Sequence, residues 1–182
     1  MEPTPDTKDW TWTLTRRCAD CGLAAGEVDP REIGARLEVA AVEWVQILGS
    51  SPAVGARPAD AVWSALEYGA HVRDVYRLFD VRLEQMLVDD EPTFANWDQD
   101  ETALAERYGD QDPEVVAEEL TAAASQVVAR WSGLEPAQLE RRGRRSDGAG
   151  FTVASFGQYV LHDVIHHLWD VTGQQDGIDD LR

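Results

Sequence analysis

The residues of this chain best suited to chemistry are its four histidines. His71 stands alone mid-chain, while His162, His166 and His167 lie together near the C-terminal end. In a helix, residues four apart differ by about 40° around the axis and sit one turn apart on one face. His162 and His166 can therefore chelate one divalent ion. His71 from a second helix would complete a three-nitrogen set that leaves a coordination position open. His71 shares its face with Glu67, Tyr68, Asp74 and Val75, so a carboxylate can orient its ring. His167 points about 100° away from His166, and is read as packing or as paired with Asp163. Asp170 continues the face of His166. Asp74, Asp163, His167 and Asp170 are thus the candidates for groups that support the ligands. An ordinary hydrogen-bonded helix face is the alternative that the spacing alone leaves open.

A second group is Cys18-x-x-Cys21, followed by Gly22. One such pair supplies half of a tetrahedral zinc site, to be completed by a histidine or a second subunit. A redox pair, or no chemistry, are the other readings, and a reducing cytosol disfavours a structural disulfide. Arg141, Arg142, Arg144 and Arg145 interrupt an otherwise acidic chain. They read either as a receptor for an anionic small molecule, with Arg142 and Arg144 as candidates, or as a solvated loop. Trp97 and Asp98 fall in a long acidic segment, Asp89 to Gln111, which reads as a lid over a pocket or as a surface excursion.

These residues need elements to position them. A length of 182 residues fits one domain. A net charge of −18 argues against nucleic acid as a partner, and no run approaches the ~18 apolar residues of a membrane span. With no apolar leader in the first residues, a cytoplasmic location is expected. Residues 1–28 read as an irregular arm, 29–173 as a bundle and 174–182 as a polar tail. Asp29-Pro30 and Asp112-Pro113 are helix starts, Asp60 and Thr152 are further caps, and Gly49 and Gly173 are stops. Apolar residues recur at three and four between them. No strand pattern stands out, so the expected fold is all-α: a four-helix bundle with an irregular N-terminal arm and a long loop between the second and third helices.

With a histidine midway along the second helix and H-x-x-x-H in the fourth, the layout over roughly residues 30–173 resembles the DinB/YfiT-like metalloprotein superfamily. That superfamily includes bacillithiol and mycothiol S-transferases and mycothiol-dependent maleylpyruvate isomerase. The resemblance implies His71, His162 and His166 as metal ligands. The isomerase branch has a carboxylate as its middle ligand, so a histidine there implies the S-transferase-like branch. The arm with its C-x-x-C departs from the superfamily core.

The expected cofactors are a divalent ion (Zn, Ni or Fe) and a low-molecular-weight thiol such as mycothiol. The ion would activate the thiol for attack on a small electrophilic substrate. A second copy of the chain, as a homodimer, is a candidate partner. The sequence nominates no catalytic residue beyond the ligands. Metal-dependent hydrolysis is the alternative reaction, with Asp163, Asp170, Asp98 or Glu67 as base. A non-enzymatic metal-binding bundle is the third reading.

Overall fold

The computed structural model describes residues 9–173. The polar tail expected at 174–182 and the first eight residues of the arm lie outside them. Among the described residues five α-helices carry the fold: α1 (Ile33–Gly49), α2 (Ala65–Val88), the short α3 (Gln99–Ala105), α4 (Pro113–Ser132) and α5 (Val153–Thr172). The four long ones form a bundle. α1 and α2 each pack against both α4 and α5 and touch one another little, so α1 faces α2, and α4 faces α5, across the diagonal.

Local chemistry sets most of the ends. Asp112 accepts the Glu114 amide with Pro113 at the first position of α4. Thr152 caps α5 and exchanges hydrogen bonds with Ser155, and Gly173 closes that helix at φ 64°. Asp60 does not start α2. Ser64 does, in a capping box with Glu67, because this pair satisfies two orphan amides at once.

The expectation of no strands is corrected. Thr93–Phe94 (β1), Arg142–Arg145 (β2) and Gly150–Thr152 (β3) form a sheet ordered β1-β2-β3. β1 runs parallel to β2 and β3 antiparallel to it. The segment expected as one long loop therefore holds β1, α3 and a 3-10 turn at Tyr108–Asp110.

The core fills the space between the long helices, with Trp44, Tyr76, Phe79, Phe156 and Leu161 among its largest buried side chains. Its few polar atoms are tied across helices: the Tyr76 hydroxyl donates to Leu37 O at 2.6 Å, and the Trp131 indole N–H to Pro30 O at 2.8 Å. Trp131 also touches α5 where a Cβ on Gly157 would lie 2.2 Å from its ring. The arm folds back through 3-10 turns at Thr11–Leu14 and Ala25–Glu27, both packed on α5.

Candidate metal centre

α5 carries the chemistry on two neighbouring faces. Adjacent helical residues diverge by about 100°, so His162 and His166 face the arm while Asp163 and His167 face α2. The structure accordingly forms two groups whose potential ligand atoms lie within 4.8 Å of one another: Cys18, Cys21, His162 and His166, and His71, Asp163 and His167. The expected triad of His71, His162 and His166 is thus not gathered as one group. The rotation of α5 gives His71 the pair one residue further along, and gives His162 and His166 to the cysteines.

In the group facing α2, the two carboxylate oxygens of Asp163 lie 3.6 Å from His71 Nε2 and 3.8 Å from His167 Nε2. A divalent ion with bonds of about 2.0–2.2 Å holds neighbouring donors roughly 3–3.5 Å apart. Asp163 would need to close on each histidine by only a few tenths of an ångström. His71 is fully buried, and neither of its nitrogens has a hydrogen-bond partner. An orphaned imidazole aimed at a carboxylate and a second imidazole suits a cation. His167 Nδ1 lies 2.7 Å from Asp170 Oδ2, which fixes the ring so that Nε2 turns toward Asp163. Asp170 therefore supports His167, where the sequence suggested His166; its distance to His166 Nε2 is 3.9 Å. His167 itself was expected to be packing or an Asp163 partner, and it stands among the donors. Asp74 is taken by Arg73, Arg77 and the Tyr108 hydroxyl.

The protonation states of the histidines and of Asp163 suit ligation. Burial pushes His71 and His166 below the ordinary imidazole value, and pushes His162 down to about 4. Burial alone would raise Asp163, but the neighbouring His71 and His167 outweigh it and hold the carboxyl at about 2. Cys18 and Cys21 are free thiols. Burial, only partly offset by the Leu23 amide hydrogen-bonded to its sulfur, raises Cys21 to about 12.

His162 and His166 of one group and Asp163 and His167 of the other line a cavity of about 840 Å³, within the range for small-molecule sites. Trp97 lines it, its ring parallel to His71 at 5.3 Å. Asp98 also lines it and caps α3. Arg142 and Arg144 do not line it, because period-two alternation along β2 turns them outward; Arg144 pairs with Glu91.

Arg145 turns inward and lines the cavity with Arg82 of α2, a residue that sequence reasoning missed as a site group. Its signal was a charged residue standing in the apolar register of α2. Burial and the nearby Arg145 lower Arg82 to about 10. Its guanidinium donates to Ala95 O.

A diagonal helical bundle with imidazole, carboxylate and thiol donors gathered in two groups along α5 defines a candidate metalloprotein of the four-helix class. The chain belongs to the DinB superfamily, whose sequence model matches residues 37–171. A solved structure described as "YfiT from Bacillus subtilis is a probable metal-dependent hydrolase with an unusual four-helix bundle topology" shares the fold at a TM-score of 0.72. It is 18% identical, over 79% of this chain and 84% of that one. No curated protein matches the chain. No helix among the described residues is long and apolar enough to cross a membrane.

Proposed function

We propose that this protein is a metal-dependent enzyme whose centre, His71, Asp163 and His167, activates a low-molecular-weight thiol for transfer to a small electrophile. A bound divalent ion would supply Lewis acidity that lowers the pKa of a nucleophile beside it. The chain's own residues do the rest. His71 and His167 offer neutral nitrogens, Asp163 offers one negative charge, and Asp170 holds the His167 ring. Trp97 and Trp63, both against His71, keep water from its buried side. Arg82 and Arg145 are placed to hold a carboxylate or phosphate on the thiol or the electrophile.

The observation that carries this reading is that the carboxylates nominated as a general base are already engaged. Glu67 is bound by Arg57, Asp170 by His167, Asp98 by the first amides of α3, and Asp163 faces the two histidines. With these carboxylates engaged, deprotonation of the nucleophile falls chiefly to the ion. A thiol near pKa ~8.5 needs a far smaller shift for this than water near ~15.7. A carboxylate between two histidines is also the pattern that the resemblance assigns to the mycothiol-dependent isomerase branch, itself a thiol-using one.

The test is turnover of monochlorobimane by metal-loaded protein with added thiol. The thiol sulfur forms the new C–S bond, chloride leaves, and the thiol proton passes to solvent. Activity should require both thiol and metal and be lost in His71→Ala. Full activity after chelation, or turnover indifferent to thiol, would falsify this reading. Metal-assisted hydrolysis is the second reading, favoured by the description of the structural neighbour; thiol-independent cleavage of esters or amides would establish it instead.

A further inference from the structure

We propose that Cys18, Cys21, His162 and His166 form a second, separate metal site, closed and four-coordinate, which fastens the N-terminal arm to α5. All four side chains are buried, with relative exposures of 1%, 0%, 2% and 8%. Their donor atoms lie within 4.8 Å of one another.

Cys18 Sγ stands 3.6 Å from His166 Nδ1. A tetrahedral zinc ion, with bonds of about 2.3 Å to sulfur and 2.0–2.1 Å to nitrogen, sets such a pair about 3.6 Å apart. This pair already has the spacing of a loaded site. His162 Nε2 is buried with no hydrogen-bond partner, an orphan that a metal bond would satisfy.

The turn between the cysteines is built for close approach. Gly22 takes φ 76°, its amide donates to Cys18 O at 3.0 Å, and the Cys18 amide donates to Leu23 O at 2.9 Å. The Leu23 amide reaches the Cys21 sulfur, as second-layer hydrogen bonds to a ligating thiolate do. Trp10 lies against both imidazoles, at 5.7 and 4.9 Å between ring centroids.

Charge separates the two sites. When a divalent ion enters, two S–H protons leave for solvent and two metal–sulfur bonds form. Two thiolates and two neutral imidazoles then balance the ion's two positive charges, so the filled site is neutral and its burial is cheap. The group facing α2 offers a single negative charge and leaves room for a further, anionic ligand. Soft thiolates and a full set of four donors mark the first as structural. Hard and borderline donors, three rather than four, mark the second as reactive.

The experiment uses the full chain, reconstituted with cobalt(II) and then with zinc. Two ions per chain are expected, with a near-ultraviolet thiolate-to-cobalt charge-transfer band. Cys18→Ser with Cys21→Ser should abolish that band and bring the stoichiometry from two to one, while the remaining ion still depends on His71. His71→Ala should do the reverse, keeping the band and losing the other ion. If the serine variant fails to fold, the wild type and His71→Ala spectra decide. Absence of a thiolate band in both, or recovery of Cys18 and Cys21 as a disulfide from metal-loaded protein, overturns the proposal. Loss of bimane turnover with the band intact would strike only the thiol-transfer reading and leave this site standing.

Discussion

Asp170 holds His167 through Nδ1, and this contact gives one residue-scale expectation. Asp170→Asn keeps the shape but loses the charge that polarises the ring, so metal affinity at the His71 centre should fall by about 10–100-fold. Competition against a chelator of known affinity measures it. His167→Ala should lose that ion altogether, whereas His162→Ala should spare it; the opposite ranking would restore the triad that spacing alone suggested. Arg82 gives a second expectation. With Arg145 it forms the cationic wall of the cavity, so Arg82→Gln should raise KM for an anionic electrophile and leave that for a neutral one unchanged. Steady-state kinetics with the two substrate types would show whether the guanidinium meets the substrate.

The bundle depends on close approach at a few points between elements. Gly157 on α5 is the tightest between the long helices: a Cβ there would meet the rigid indole of Trp131 at 2.2 Å. Gly157→Ala should destabilise by about 1–3 kcal/mol, as overpacking does, despite alanine's better helix propensity. Urea unfolding followed by circular dichroism would measure the loss, and a stabilised variant would mean that Trp131 can move.

The elements differ in how far the sequence reveals them. Asp112-Pro113, Thr152 and Gly173 were legible because caps act within a few residues. β1, β2 and β3, at two to four residues each, are too short to show alternation and exist only where Arg142–Arg145 can pair on both sides. The site was half legible. The spacing of His162 and His166 shows that α5 can ligate. Which of two adjacent faces meets His71 depends on how Trp44, Phe156 and Val164 set the rotation of α5, and that is a property of packing. The completion of the cysteine pair by histidines 140 residues away likewise has no local signal.

At the scale of the whole molecule, paired carboxylates set the response to acid. For Asp74, burial opposes ionisation, but Arg73, Tyr108 and Arg77 prevail and lower its pKa from 3.8; Arg57 and the Ser64 cap do the same for Glu67 from 4.5. A carboxyl lowered on folding stabilises fully above its unfolded value and loses that contribution as pH falls through the folded one. The melting temperature of metal-free protein should thus hold from neutrality to about pH 5 and decline below about pH 4. Asp74→Asn should lower it at neutrality and shrink the acid decline, as thermal melts across that range would show. The arm adds a matter of timing. Cys18 and His166 are separated by 148 positions, so during synthesis the thiols emerge well before the histidines that face them. Until α5 leaves the ribosome they are solvent-exposed and open to oxidants or stray metal. Maturation of the cavity wall therefore waits for α5, and the arm, made before that helix, settles only after it.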